Sequence, residues 1–243
     1  MWACPMISIV VPALNEESLL PQCLDSLSKQ GYRDFEIIAV AGGNDRTSAI
    51  AKSFGTVVVS QDQKGIAKAR QKGFSVARGE IIASTDADAI VPEDWLQKIH
   101  ELFEQHPAAV AIAGHFQLYD GPAFVRFWIK ISLILMPVIL KIAPWLWNFG
   151  GANFAVKTEA FNKLGGFDLN LDFGEDIDLC RRLRKYGKVI FTPSLVVRVS
   201  GRAFAKDKLG LKSLINYLGV LLSGRHLLSV SRVPDADRIS IKS

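Results

Sequence analysis

The sequence contains few cysteines and few histidines. There are three cysteines and four histidines in 243 residues. The cysteines are an odd number, are widely spaced and form no C-x-x-C pair, so neither a disulfide framework nor a zinc site is expected. This pattern favours a reducing compartment. The histidines are isolated along the chain, and none is paired with a serine in a way that suggests a nucleophile with its base.

The sequence also lacks the glycine pattern of a dinucleotide-binding fold. G-x-G-x-x-G is expected directly after the first strand of such a fold. The segment "VVPALNEE" (residues 10–17) stands there instead. This argues against an oxidoreductase, and the absence of a glycine-rich basic loop argues against a nucleotidyltransferase. No charged stretch followed by a long apolar core opens the chain, so we expect no signal peptide.

The net charge is modest, +5 from 29 basic and 24 acidic residues. That excess is too small to argue for nucleic-acid binding, and no nucleic-acid partner is expected. Basic residues are concentrated after residue 198, where they outnumber the acidic ones. A basic segment beside apolar residues suits an anionic membrane surface, and a solvated basic tail is the alternative.

Short apolar runs alternate with helical periodicity in the first half of the chain. "ISIVVP", "FEIIAV", "TVVVS" and "EIIAST" predict four strands, and the segments between them predict helices, the first with Leu20, Cys23, Leu24 and Leu27 on one face. Pro92 suits the first turn of a further helix, and two short strands are expected near residues 188–199. Such alternation is typical of an α/β protein whose mostly parallel sheet is covered on both faces. Ligands of these sheets bind at the carboxyl ends of the strands.

A long apolar segment, residues 123–149, interrupts the second half. Its apolar core, Ile131 to Leu140, is about half the ~20 residues that a bilayer-spanning helix needs. Charged residues bracket this core at Arg126, Lys130 and Lys141. We therefore predict an interfacial or re-entrant helix. A buried core helix and a hydrophobic oligomer interface are the alternatives.

Two carboxylates follow the fourth predicted strand. Asp86 and Asp88 lie one residue apart in "STDADAIVPEDW" (residues 84–95). In an extended chain, side chains one residue apart point the same way, so both can hold one Mg²⁺ or Mn²⁺ ion against a diphosphate. A polar turn, or a capping cluster before Pro92, is the simpler alternative.

The ends of the neighbouring strands support the ligand-binding interpretation. The second strand ends in the glycine-rich turn "AGGNDRT" (residues 41–47), which lets the backbone approach a ligand closely. The segment that follows the third strand offers Lys64, Lys68 and Arg70, which could meet phosphates. Each feature alone is more simply a turn or a solvated helix face.

A second acidic pair opens a helix in "GEDIDLCRRL" (residues 174–183). Glu175 and Asp176 complement the helix dipole there, which is one sufficient reason for their presence. A general base is the other reason, because an ionised carboxylate could take a proton from an attacking acceptor hydroxyl.

Taken together, these segments resemble the family 2 glycosyltransferases, which have the GT-A fold. The matching segments, in chain order, are "SIVVPALNEE", "AGGNDRT", "KGIAKARQKGFSVARGEIIASTDAD", "GGANFAVKTEAFNKLGGFD", "GEDIDLCRRL" and "VSGRAF". They run from about residue 7 to residue 204. The resemblance implies a nucleotide-sugar donor, a divalent cation (Mg²⁺ or Mn²⁺) and inversion at the anomeric carbon.

The resemblance also assigns residues and domains. Asp176 is implied as the catalytic base with Glu175 beside it, and Asp88 as the metal ligand with Asp86. The implied nucleotide-binding residues are Pro12, Ala13, Asn15, Glu16, Gly42, Asp45, Lys64, Arg70, Asp86 and Ala87. The implied acceptor and sugar residues are Trp147, Gly150, Gly151 and Asn153. A GT-A domain over residues 1–204 would comprise a nucleotide half (1–107) and an acceptor half (108–204), followed by a basic amphipathic segment (205–243).

One position departs from the family pattern. The family carries an early aspartate in the turn after the second strand, where this sequence has Ala41, and Asp45 matches the later aspartate of that turn. Recognition of the base is therefore open, with UDP- or GDP-sugars as the expected donors. We further expect a lipid or membrane acceptor and a peripheral enzyme at the cytoplasmic face of the cell membrane. A non-catalytic nucleotide-sugar or lipid carrier on the same scaffold is the alternative.

Overall fold

The computed structural model describes residues 5–142, 150–171, 174–202 and 204. Strands and helices alternate as the sequence predicts. The strands are β1 (Ile7–Leu14), β2 (Phe35–Gly42), β3 (Val57–Ser60), β4 (Ile81–Ser84), β5 (Ala89–Ile90), β6 (Ala109–Leu118), β7 (Phe154–Lys157) and β8 (Lys188–Val199). The helices are α1 (Leu20–Ser28), α2 (Thr47–Ser53), α3 (Ile66–Val76), α4 (Trp95–Gln105), α5 (Ala123–Ile142), α6 (Thr158–Lys163) and α7 (Glu175–Tyr186).

In the described residues the strands form one mixed sheet of eight, in the order β3-β2-β1-β4-β7-β6-β8-β5. Strands β3, β2, β1 and β4, which form one half of the sheet, are parallel to one another. Strand β7 is antiparallel to both β4 and β6, while β8 runs parallel to β6. The predicted α/β class with a mixed, mostly parallel sheet is confirmed, and the carboxyl ends of β1, β2 and β4 meet at one edge.

Two local predictions differ from the structure. Two short strands were expected near residues 188–199, but β8 is continuous, because the bulge between its pairings at Phe191 and Val196 absorbs the break at Pro193. The helix expected to begin around Pro92 begins at Trp95, because the Pro92 carbonyl accepts the Trp95 N–H at 3.0 Å in a preceding turn.

Packing under the sheet fixes the direction of α3. Gly73 of α3 lies so close to β1 and β2 that an added Cβ would collide with Val10 and Val40. The next residue, Phe74, packs with Phe161 and Phe167, with ring centroids 4.7 and 5.1 Å away. Aromatic pairs of this kind contribute about 0.5–1.5 kcal/mol each beyond their burial. The helix therefore cannot rotate, and its buried arginine, Arg70, points in a fixed direction.

Helix α5 carries apolar side chains on two opposite faces, one packed against the core and one exposed. Val125 and Ile129 pack against the core. The opposite face leaves large apolar side chains exposed to solvent: Phe124, Phe127, Trp128, Ile134, Leu135, Val138 and Ile142. No helix within the described ranges is long and apolar enough to cross a membrane. The rest of the predicted apolar segment, residues 143–149, and the basic segment 205–243 lie outside the described residues.

Candidate active site

A cleft of about 330 Å³ opens at the carboxyl ends of β1 and β4. Its walls come from both strand ends, from the loop before α3, and from the residue that follows β8 by three positions. The lining residues are Pro12, Ala13, Leu14, Glu16, Gln61, Gly65, Ile66, Arg70, Asp86, Ala87, Asp88 and Arg202. The cleft is thus where the sheet topology predicts a ligand site.

The loops after β1 and β2 are tied together beside this cleft. Asn15 adopts a left-handed conformation (φ 53°), and its Oδ1 accepts the Asn44 N–H at 2.9 Å. An added Cβ at Gly43 would collide with that same oxygen, and Gly43 itself has φ +109°, so a glycine is required there. Asp45 accepts the N–H groups of Glu17 (3.1 Å) and Thr47 (3.0 Å). These bonds hold the two strand ends in register.

Asp86 and Asp88 lie on the turn between β4 and β5, and both line the cleft. The Asp88 carbonyl accepts hydrogen bonds from the Ser200 N–H and the Tyr119 hydroxyl, both at 3.3 Å. Burial raises the pKa of the Asp88 carboxyl to about 7, the nearby charge of Asp86 adds to this, and Arg202 opposes it. It is therefore unfavourable to ionise both carboxylates of the pair at once, and a bound divalent cation would offset this cost.

Arg70 links the aspartate pair to helix α7. Its side chain is only 4% exposed, and it donates to Asp86 Oδ1 at 2.7 Å and to Glu175 Oε1. Burial alone would lower the pKa of Arg70, but the charges of Asp86 and Glu175 outweigh it and raise the pKa. The guanidinium stays charged and rigidly held between the two carboxylates.

Asp176 lies on the other side of this link, in the first turn of α7. Its Oδ2 accepts the Gly151 N–H at 2.7 Å, and its Oδ1 accepts the Ile177 N–H at 2.8 Å. Burial raises the pKa of Asp176, the adjacent Glu175 raises it further, and Arg70 acts in the opposite direction. Asp176 is consequently more basic than an ordinary aspartate, whereas Glu175 is buried and bound to Arg70 in a positioning role.

Arg202 is a site residue that sequence reasoning missed. Its Nη2 donates to both carboxylate oxygens of Glu16, at 2.6 and 2.7 Å, and lies 3.2 Å from Asp88 Oδ2. The only signal in the sequence was its place in "VSGRAF", since we otherwise counted it with the basic end of the chain. A pairing across 186 positions is visible only in the fold.

The predicted nucleotide and metal residues separate into two groups. Seven of them line the cleft together: Pro12, Ala13, Glu16, Arg70, Asp86, Ala87 and Asp88. Asn15, Gly42 and Asp45 belong to the adjoining loops, and Lys64 is exposed beside the lining residues Gly65 and Ile66.

The predicted acceptor residues have different environments. Gly150 is exposed, whereas Gly151 is buried against the guanidinium of Arg70. Asn153 is 3% exposed, and its side chain accepts the Trp95 indole N–H and donates to the carbonyls of His115 and Leu195. Both amide hydrogens are engaged, so this side chain is a structural element below the cleft. Trp147 lies outside the described residues.

Gln61, also missed from the sequence, closes the cleft beside β2. Its N–H donates to the Ala41 carbonyl at 2.9 Å, and its side chain packs so closely on Gly42 that an added Cβ there would collide with it. It therefore lies next to the position where the family has an aspartate and this chain has Ala41.

The carboxylates of Asp86 and Asp88 fit a divalent cation that takes its other ligands from the phosphate oxygens of a substrate. Nowhere in the described part of the chain do three or more His, Cys, Asp or Glu side chains form a group that could hold a metal ion. Two carboxylates in an acidic cleft are nevertheless sufficient for Mg²⁺-type ions, which take their remaining ligands from substrate phosphates and water.

Solved glycosyltransferases share this fold. The mannosyltransferase PcManGT of Pyrobaculum calidifontis, solved with GDP-Man and Mn²⁺, aligns with a TM-score of 0.71 at 22% identity and covers 91% of this chain and 63% of that one. Residues 1–349 of TarS from S. aureus, solved with UDP-GlcNAc, align with a TM-score of 0.63 at 17% identity and cover 80% and 58%. The GT-A architecture is thereby confirmed.

The family model for glycosyl transferase family 2 matches residues 8–165, and the chain belongs to this family. Glycosyltransferase GlyG of Streptococcus pneumoniae is 26% identical over 204 residues, which are 76% of this chain and 67% of that protein. The uncharacterized glycosyltransferase EpsJ of Bacillus subtilis is 34% identical over 119 residues, 46% of this chain and 35% of that protein. The chain thus spans from about a third to two thirds of these relatives.

Proposed function

We propose that this protein is a metal-dependent, inverting glycosyltransferase that moves a sugar from a nucleoside diphosphate to an acceptor hydroxyl or phosphate. The observation that carries the proposal is the line of charged groups Asp88, Asp86, Arg70 and Asp176. The aspartate pair and Arg70 line the cleft, and Arg70 also contacts Glu175 in the first turn of α7, next to Asp176. A diphosphate at the aspartate pair would leave its sugar directed toward Asp176.

Asp176 is the proposed base. A carboxylate whose pKa is raised toward neutrality accepts a proton more readily than an ordinary aspartate and is still ionised in a useful fraction. The N–H groups of Gly151 and Ile177 hold its two oxygens, so the carboxylate is oriented before any acceptor binds. Direct attack of the acceptor oxygen on the anomeric carbon needs one such base and inverts that carbon.

Asp88 and Asp86 are the proposed ligands of the divalent cation, which when bound would offset the negative charge that develops on the leaving diphosphate. Arg70 contacts both Asp86 at the proposed cation site and Glu175 on α7. It would therefore couple the position of the donor to the position of α7. Pro12, Ala13 and Gln61 would border the nucleoside.

A GDP- or UDP-sugar is the proposed donor. PcManGT and TarS are structural neighbours that bind one nucleotide of each kind. Gln61, whose backbone N–H bonds the Ala41 carbonyl, is a polar residue that lines the cleft beside the position where a base-reading aspartate is missing. Because an amide both donates and accepts hydrogen bonds, the side chain of Gln61 could contact the base of the donor in place of the missing aspartate.

We further propose a lipid-linked acceptor at a membrane surface, with the enzyme peripheral at the cytoplasmic face. The exposed apolar face of α5 supports this, since it joins aromatic side chains at one end to aliphatic ones at the other. Arg126, Lys130 and Lys141 of the same helix are exposed, and α5 contains no acidic residue. This combination suits a helix that lies in an anionic lipid interface. A protein–protein interface is the competing use of this face.

A donor screen tests the proposed activity. The protein is melted with UDP-, GDP-, CDP- and dTDP-sugars, each with and without Mn²⁺, because a ligand of the folded state raises the melting temperature. We expect a shift with one nucleotide that requires Mn²⁺ and disappears in Asp88→Asn. Asp62→Asn, an exposed carboxylate paired with Lys72 away from the aspartate pair, is the control that keeps the shift.

The donor that binds is then incubated with the protein, anionic liposomes and a lipid extract, and release of nucleoside diphosphate is measured. Release that depends on Asp176 supports the transferase. A metal-dependent shift with no release beyond the blank would contradict it and favour a nucleotide-sugar carrier.

A further inference from the structure

The short segment that follows β8 holds a cationic side chain across the mouth of the cleft. We call residues Ser200–Arg202 the strap. The Ser200 hydroxyl donates to both carboxylate oxygens of Asp120, at 3.1 and 3.0 Å, and the Gly201 N–H donates to the same carboxylate. Phe204, just beyond the strap, packs against the core. The strap is therefore anchored on both sides of Arg202.

The strap backbone has little room to move as a lid. An added Cβ at Gly201 would collide with the Asp120 carbonyl and lie 3.0 Å from the Gly121 Cα, so the two chain segments are already in contact. The side chain of Arg202 is different, since it is long, is 38% exposed, and contacts the carboxylates of Glu16 and Asp88. Any change of state at this position belongs to the guanidinium and not to the backbone.

The guanidinium lies where a cation at the aspartate pair would have to compete with it. Arg202 Nη2 is 3.2 Å from Asp88 Oδ2 and neutralises buried Glu16 at the same time. Two positive charges a few ångströms apart in a partly buried site repel strongly. A divalent cation on Asp88 and the Arg202–Asp88 contact are thus mutually unfavourable.

A diphosphate in the cleft would also be stabilised by a positively charged side chain facing its oxygens. Among its described lining residues, Arg70 and Arg202 are the cationic ones, against Glu16, Asp86 and Asp88. Arg70 is buried and committed to two carboxylates. Arg202 also contacts two carboxylates, but its side chain is 38% exposed against 4% for Arg70, so it is the arginine that can turn toward phosphate oxygens.

We propose that Arg202 is a latch: it competes with the divalent cation for Asp88, and when the cation binds with a diphosphate the guanidinium moves from Asp88 to a diphosphate oxygen. The proposal rests on the proposed metal-dependent function. Its consequence is coupling, since the protein binds the cation weakly by itself and tightly together with a diphosphate. Such coupling would keep the site from holding a cation without its donor.

The test measures Mn²⁺ affinity by electron paramagnetic resonance of the free ion at pH 8, with and without inorganic pyrophosphate. Pyrophosphate is used because it carries no base or sugar. In Arg202→Gln we expect Mn²⁺ alone to bind about tenfold more tightly, because a competing positive charge is gone. The factor by which pyrophosphate increases the Mn²⁺ affinity should fall by about tenfold in this variant, because the arginine is no longer there to bind the pyrophosphate. Arg202→Lys, which keeps the charge, should stay nearer to the original protein in Mn²⁺ binding.

Arg78→Gln is the matched control. Arg78 is another solvent-accessible arginine bound to a glutamate, Glu36, whose side chain is 8% exposed, but it lies away from the cleft. Arg78→Gln should leave the Mn²⁺ dissociation constants, with and without pyrophosphate, within about twofold of those of the unaltered protein. Melting curves of each variant show whether the fold is kept. If Arg202→Gln also stays within that range while Asp88→Asn abolishes Mn²⁺ binding, the latch is refuted and the metal site stands. If Mn²⁺ binding does not depend on Asp88 at all, the proposed metal site and the latch both fail.

Discussion

Replacing Gly151 by alanine tests whether Arg70 is held rigidly between its two carboxylates. A Cβ built at Gly151 collides with the Arg70 guanidinium, whereas a Cβ at Gly150 meets no atom of the described chain within 4 Å. In the described chain neither glycine is among the residues with a positive φ, so the collision with Arg70 is the difference that the comparison tests. The adjacent pair is therefore a matched experiment supplied by the sequence itself.

The magnitude follows from the contacts of the guanidinium. It cannot retreat without lengthening its bond to Asp86 or to Glu175. Overpacking of a dense site costs about 1–3 kcal/mol, and partial loss of a buried charged hydrogen bond is of similar size. We expect Gly151→Ala to lose about 2 kcal/mol of unfolding free energy, or roughly 4–8 °C in Tm for a chain of this length. Gly150→Ala should stay within about 0.5 kcal/mol.

Urea unfolding and turnover of the donor identified by the screen provide the two readouts. Gly151→Ala should also lose most of its kcat, since its displaced Arg70 misorients Asp86 and its backbone N–H holds the Asp176 carboxylate. Equal unfolding midpoints and equal kcat for the two alanine variants would show that Arg70 yields freely, and the account of a rigid link between donor and base would be wrong.

Three further predictions concern the proposed base, the core and the exposed apolar face of α5. Asp176→Asn should lower kcat by about 10²–10⁴-fold, and in the unaltered protein kcat/KM should rise with pH as Asp176 loses its proton. Because its folded pKa is raised to about 7, its contribution to stability is lost as pH rises through that value from the unfolded pKa near 4, and urea titrations should show this slope reduced in the variant. Asn153→Ala should cost about 3 kcal/mol in urea, because it strands three buried partners, while the remaining folded protein keeps its donor affinity. Trp128→Glu should weaken flotation with anionic liposomes by about 2 kcal/mol, and Phe54→Glu, an exposed apolar residue on another surface, should not.

Much of the fold was predictable because its signals are local. Four strands were predicted from apolar runs, and the helix faces from their periodicity, so α1 buries Leu20, Cys23, Leu24 and Leu27 as predicted. Strand ends follow from the same reading, and this is why the aspartate pair, Glu16 and Arg70 were expected at one edge and are found lining one cleft. These predictions depend only on the order of the elements along the chain.

Other features depend on which segments meet in space. Asn153 was expected to face the acceptor, but its amide bonds the indole of Trp95 and carbonyls from β6 and β8, three elements that are distant in sequence. Gln61 carried no sequence signal, because its importance comes from lying beside Ala41 across a β2–β3 pairing.

By itself the sequence determined the α/β alternation, the position of the aspartate pair after β4 and the acidic start of α7, because each arises from spacing within a short segment. Only the tertiary structure decided how these charges are paired. Arg70 reaches Asp86 across 16 positions and Glu175 across 105, and Arg202 reaches Glu16 across 186. The physical reason is that a charge in a buried site takes the partner that strand order and helix packing bring within hydrogen-bonding distance, and neither is encoded in the spacing of the residues themselves.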